Sequence, residues 1–270
     1  MRFVKIFLAV LVFAAAAFFV VRGCAPKKAR PLVKLPHAKI LYQETAPPKG
    51  AQPKMAIILD DWGHNLALTK LAVDMRRPLT LSVLPNLAHS RSIAETAHAN
   101  GLAVIVHMPM QPIDEDETLE PHTIQVDMPQ TTILAYLDEA VSAIPYAEGM
   151  NNHMGSAATS DARMMRIVLS HLKKKNLFFV DSKVISSTVG PAIAKETGIR
   201  FAQRDVFIDN VLRSEAIKER LRDAEKIALK TGLVVVIGHD KKATLNALAE
   251  MIPDIESKGI RLVYVREIVK

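Results

Sequence analysis

From residue 55 onward the chain alternates short apolar runs with stretches of helical period, and that alternation admits few folds. Runs at 55–59, 79–84, 102–106, 149–151, 177–180, 200–202, 233–237 and 261–265 are short enough for strands and apolar enough to be covered on both faces. Strands of that kind, separated by helices, describe an α/β fold with a parallel sheet. The intervening segments carry helix signals. Ser92 and Glu95 have the spacing of a capping box, and Gly101 stands where that helix should stop. A helix is expected over 129–144, and Ser160 or Asp161 can cap the next, which sets Met164, Val168 and Leu172 on one face. Ile217, Leu221, Ala224 and Ala228 form an apolar stripe with charges opposite, and 244–255 reads as a last helix, bent or restarted at Pro253.

Most of these runs give way to polar residues: Asp60 and Asp61 after the first, His107 after the third, and Asn152 and His153 after the fourth. Asp181 comes after the fifth, Arg204 and Asp205 lie around the sixth, and His239 and Asp240 come after the seventh. Parallel strands in such folds point their carboxyl ends at one face, where active sites assemble. Each residue alone has a plainer explanation. An Asp at a strand end often caps the next helix, and a single buried His is more often structural than a ligand. Caps and core histidines have no reason to recur at the ends of successive strands, so the joint placement favours a site. His89 and His98 read as helix-surface residues, His171 sits beside an apolar helical face, and His64 is open to either reading.

The N-terminal segment is of another kind. Arg2 and Lys5 precede sixteen uninterrupted apolar residues, 6–21, closed by Arg22, so residues 1–25 read as a membrane anchor or signal segment. Residues 26–54 are basic and proline-rich and read as an extended tether, with 55–270 as the folded domain. An extracytoplasmic position in the cell envelope is expected. Charge divides the same way: the first 54 residues carry ten Lys or Arg against Glu44 alone, whereas the remainder holds 25 basic and 27 acidic residues. The folded part lacks the basic excess that phosphate backbones require, which argues against nucleic-acid binding. Cys24 is the sole cysteine, so any metal must be held by His, Asp or Glu.

Adjacent carboxylates raise each other's pKa, and a divalent cation removes that conflict. One Asp with two His is a recognised hydrolytic zinc set with an open position for water. A second, unligated carboxylate can act as general base, and a further His can protonate a departing amine. Rival templates are absent: there is no G-x-S-x-G elbow, phosphate loop, G-x-G-x-x-G or H-E-x-x-H. The acidic run 114–117 with Glu120 lacks the spacing of a calcium loop and reads as a solvated rim, long enough to cover a site.

Ile58-Leu59-Asp60-Asp61-Trp62-Gly63 resembles the opening motif of polysaccharide deacetylases, the NodB-homology or carbohydrate esterase family 4 group. The resemblance continues through Ala99-Asn100-Gly101, Val106-His107-Met108-Pro109-Met110, the segment 149–155, Phe178-Phe179-Val180-Asp181-Ser182 and Ile237-Gly238-His239. This order of motifs resembles the divergent branch of that family. It implies a distorted parallel barrel of seven or eight β/α units and a divalent metal, usually zinc. Asp60 would be the catalytic base and Asp61 a metal ligand. His107 matches the first histidine of the H-x-x-x-H metal motif, whose second position is Gln111 here; His153 is the candidate replacement. His239 matches the last motif's histidine, and Asp181 falls near the motif whose member orients it.

The function expected is therefore metal-dependent deacetylation of an acylated envelope polysaccharide. A barrel that has lost turnover and only binds glycan or an envelope partner is the alternative. A glycosidase using Asp60 or Asp61 with Asp181 leaves the three strand-end histidines without a purpose.

Overall fold

The computed structural model describes residues 51–270. The anchor and all but the last four residues of the tether lie outside the described residues. Nine strands and seven helices alternate along this part of the chain. In order they are β1 (Lys54–Trp62), α1 (Thr69–Asp74), β2 (Leu79–Val83), α2 (Ser90–Ala99), β3 (Ala103–Met110), α3 (Gln130–Ala143), β4 (Gly149–Met154) and α4 (Ala162–Lys174). Then come β5 (Phe178–Asp181), α5 (Gly190–Thr197), β6 (Phe201–Gln203), β7 (Val206–Phe207), α6 (Ser214–Thr231), β8 (Leu233–His239), α7 (Lys242–Ser257) and β9 (Arg261–Val263).

All pairings between the strands are parallel, in the order β6-β5-β4-β3-β2-β1-β8-β7. β9 pairs with the first three residues of β1, before β2 takes over its partner role from Ile57 onward. β6 and β7 are the two ends of this path, yet only Arg204 and Asp205 separate them in sequence. The curved sheet is thus a distorted parallel α/β barrel, as the sequence resemblance implies. Among the described residues no helix is long and apolar enough to cross a membrane.

Alternation along each strand sorts the core into two layers. Met55, Ile57 and Leu59 of β1 face outward and belong to one continuous cluster with Met164, Val168 and Leu172 of α4 and the Ile217, Leu221, Ala224 and Ala228 stripe of α6. Ala56 and Ile58 face inward with Ile105, Phe178, Val180, Val235, Ile237 and Val263. A Cβ at Gly149 would sit 2.3 Å from the Phe178 ring, so only glycine lets β4 lie this close to β5.

Three local expectations change and one is narrowed. The short β7 makes nine strands rather than eight, because two residues, Val206 and Phe207, are too few to give a pattern. α2 starts at Ser90, whose hydroxyl donates to the Leu84 carbonyl, and Ser92 stands exposed inside the helix rather than at its cap. Asp161, not Ser160, caps α4, its carboxylate accepting from Met164 N at 2.6 Å. α7 runs unbroken through Pro253.

Candidate active site

Two consecutive side chains of a regular strand face opposite ways, so Asp60 and Asp61 cannot both reach one site without a break in the pleat. The break is present. The β1–β2 register shifts between Leu59 and Trp62, and Asp61 adopts φ 65°, a left-handed value rare outside glycine. Asp60 keeps the inward face of Ala56 and Ile58, and the bulge turns Asp61 toward the same mouth.

The inward parity also selects the other members. Ser82, His107, Asn151, His153 and His239 each lie an even number of residues above inward-facing positions of their strands, at the carboxyl ends. Asp61 Oδ1 lies 3.2 Å from His107 Nε2 and 3.1 Å from His153 Nδ1, and those two ring nitrogens are 3.2 Å apart. Asp60 Oδ2 is 3.8 Å from His107 Nε2, and His239 Nε2 is 3.7 Å from Asp61 Oδ2. Residues 92 positions apart in sequence therefore present three donor atoms to one point.

Behind these groups runs a buried network. Asn151 Nδ2 donates to Asp60 Oδ1 at 2.9 Å, while Asn151 Oδ1 accepts from Ser82 Oγ and faces His107 Nδ1 at 2.7 Å. A carboxylate only accepts, so the amide nitrogen must point at Asp60 and its oxygen at His107. His107 Nδ1 then carries hydrogen, and Nε2 is the atom turned to the centre. His239 is held similarly: Nδ1 donates to Asp209 Oδ1 at 3.0 Å, and Asp209 Oδ2 accepts from His239 N and Thr244 Oγ1.

Electrostatics separates the two neighbouring aspartates. Burial pushes Asp60 up despite His107 and Asn151. Burial also opposes ionisation of Asp61, but hydrogen bonds from His107 and His153 outweigh it and hold this carboxyl far below the usual range. His107 is pushed up to about 9, because the charge of Asp60 and the bond to Asp61 overcome its burial. His239 is raised in the same manner, burial being outweighed by Asp209. Carboxylates driven apart in this way are suited to different roles.

The donor set fits a divalent cation. Stripped of their protons, as ligands must be, three lone-pair atoms at 3.1–3.2 Å from one another repel unless a positive charge lies among them. Zinc bonds of about 2.0–2.1 Å in a tetrahedron require ligand atoms about 3.3 Å apart, close to what is observed.

One expected member is elsewhere. Asp181 does not touch His239. In β5 it shares the outward face of Phe179, opposite to Phe178 and Val180, and it accepts from Lys183 N, Thr188 Oγ1 and Gln203 Nε2 at 2.8, 2.7 and 3.2 Å. It braces the loop into α5, and Asp209 orients His239 in its stead. Asp209 lies just beyond the two-residue β7, so no strand signal in the sequence points to it; its inward parity with Phe207 is the clue. Gln111 does not enter the centre, since its Oε1 accepts from Val126 N at 2.8 Å. Arg204 donates to the carbonyls of Ser182 and Lys183 and lies over Phe207, whose ring edges against His239. Asp240 pairs with Lys241, and His64 and the acidic residues 114–117 are exposed.

Fold and centre together define an α/β barrel with its polar cluster at the strand ends, the architecture of carbohydrate deacetylases. A profile described as divergent polysaccharide deacetylase matches residues 57–269, and the chain belongs to that family. Over 206 residues it is 34% identical to YibQ, an uncharacterized protein of Escherichia coli K12, spanning 75% of this chain but 64% of the relative's length. Among solved structures it resembles the uncharacterized protein ATU2773 of Agrobacterium tumefaciens C58, with a TM-score of 0.78, 20% identity and coverage of 84% of this chain and 94% of that one. More distant likenesses of fold are the peptidoglycan N-acetylglucosamine deacetylase Bc1960 (TM-score 0.51, 14% identity, 83% and 91% covered) and BA3943 of Bacillus anthracis, a CE4 family pseudoenzyme (TM-score 0.51, 11% identity, 81% and 66% covered).

Proposed function

We propose that the protein is a metal-dependent deacetylase acting on an acylated polysaccharide of the cell envelope, outside the cytoplasmic membrane, with its N-terminal apolar segment as address or anchor. The observation that carries this reading is the convergence of Asp61 Oδ1, His107 Nε2 and His153 Nδ1 beside Asp60 and the Asp209-backed His239. Those three atoms would hold a divalent cation, zinc by the donor set, which supplies Lewis-acid polarisation of the acyl carbonyl and of water.

The chain's own groups divide the proton work. Asp60 Oδ1 is occupied by Asn151, so Oδ2, on the side of His107, is the oxygen free to accept a proton from the attacking water. His239 keeps Nδ1 bonded to Asp209 and carries its second proton on Nε2, facing the centre, where it can be delivered to the departing nitrogen or oxygen. Family membership and the peptidoglycan deacetylase among the structural likenesses support a glycan as the acyl carrier.

The test is acetate release from N- and O-acetylated envelope glycans by the full-length protein. Release that stops on chelation, returns with zinc and is lost in Asp60→Asn supports the proposal; release indifferent to both chelator and Asp60→Asn rejects it. A second reading, glycan binding without turnover, draws on Gln111, turned away to Val126 where the family's metal motif has histidine, and on the pseudoenzyme likeness. It requires saccharide binding that chelation and Asp60→Asn leave intact, with no acetate released.

A further inference from the structure

We propose that Asn151 is a positioning residue that couples the base to the metal centre: through one amide it holds Asp60 and fixes which nitrogen of His107 faces the cation. The proposal rests on the metal reading above and deepens it. Asn151 is fully buried on the inward face of β4, in register with His107 of β3. Its amide makes bonds in four directions: to Asp60 Oδ1, to Ser182 Oγ at 3.3 Å, from Ser82 Oγ, and with His107 Nδ1.

The chemistry of the partners leaves one consistent pattern. Asp60 needs a donor, so Nδ2 turns to it. Oδ1 then lies between Ser82 and His107, and both must donate to it. Hydrogen on Nδ1 leaves Nε2 as the ring's coordinating atom, at the position 3.2 Å from Asp61. An outer partner that holds a ligand's other nitrogen in this way also raises its donor strength. Asp60 gains a fixed Oδ1 and a free Oδ2 from the same amide. Proton acceptor and metal ligand are thus oriented by a single side chain that touches neither substrate nor cation.

The decisive experiment exchanges the two groups in the full-length chain. Asn151→Asp keeps the shape of the side chain but sets two carboxylates against each other, and zinc affinity, read by competition with a chromophoric chelator, should fall about 10–100-fold. The double variant Asp60→Asn/Asn151→Asp restores a donor–acceptor pair between the two positions and keeps an acceptor for His107 Nδ1. Zinc affinity should recover most of that loss while acetate release stays absent, a split that a purely structural role does not produce. Ser82→Ala removes one bond to Oδ1 and leaves the amide in place, so a small loss, about threefold, is expected even if Asn151→Asp fails to fold. Wild-type affinity in Asn151→Asp, or a folded double variant with no recovery, overturns the proposal; so does undiminished affinity in Ser82→Ala where Asn151→Asp is unfolded. If the wild-type chain takes up no zinc, the metal reading falls by itself. The coupling is then read in urea unfolding of the metal-free variants, and additive effects of the two substitutions overturn it.

Discussion

The lower and upper halves of the barrel interior are built on the same strands and the same face, yet they obey opposite rules. Below, Ala56, Ile58, Ile105, Phe178, Val180, Val235 and Ile237 close a dry aliphatic and aromatic core. One inward position higher, Asp60, His107, Asn151 and His239 form a charged network, all but the partly exposed His239 buried. Apolar burial below stabilises without direction, whereas each group above is buried at a desolvation cost that only a correctly placed partner offsets. The lower half therefore tolerates exchange of similar volumes, and the upper half depends on identity and hydrogen-bond polarity.

The largest expected effect is in the upper half. His107→Ala should lower zinc affinity by more than about 10²-fold and abolish acetate release, since a ligand is lost rather than a supporting partner. Retained stoichiometric zinc would break the division between the halves. Next, Phe178→Ala should cost about 3–5 kcal/mol in urea unfolding. Protein that remains folded should still bind zinc, and loss of zinc from a folded variant would show that the lower layer shapes the site directly.

Asp209→Asn should reduce turnover about tenfold and shift its pH profile. Asp209 is the largest of the groups that raise His239 against burial, so its loss lowers that pKa, and the alkaline limb moves to lower pH. The stability side has the matching sign. A raised His239 contributes below its unfolded pKa of about 6.5 and loses this as pH rises through the folded value. The lowered Asp209 contributes above about pH 4 and loses this on acidification. An unmoved alkaline limb would detach His239 from the proton transfer. The smallest effect belongs to Asp181→Asn, on the outward face: about 1–2 kcal/mol of stability through the loop into α5, with turnover unchanged. A large fall in turnover at unaltered stability would return Asp181 to the site.

Asp181 and Asp209 show what was legible in the sequence and what was not. Apolar runs and their polar ends located eight of the nine strands, and with them Asp60, Asp61, His107, His153 and His239. Period alone also carries a facing rule: Val180 inward places Asp181 outward, and applying that rule to β5 would have removed Asp181 from the group around His239. Asp209 was hidden because a two-residue strand has no period to read. Asp61 was the reverse case. Strict alternation would have excluded it, and the β1 bulge, which no neighbouring glycine or proline announces before residue 63, brings it in.

Local composition by itself determined the parallel α/β layering and the side on which chemistry collects, because burial on two faces and the direction of parallel strands follow from hydrophobicity and chirality alone. Only the folded tertiary structure decided the partnerships: which aspartate backs His239, which amide joins Asp60 to His107, and that His153 stands where Gln111 does not. Those choices depend on register between strands remote in the chain and on a single bulge. A shift of one residue would reverse every facing side chain while leaving the hydrophobic pattern nearly the same.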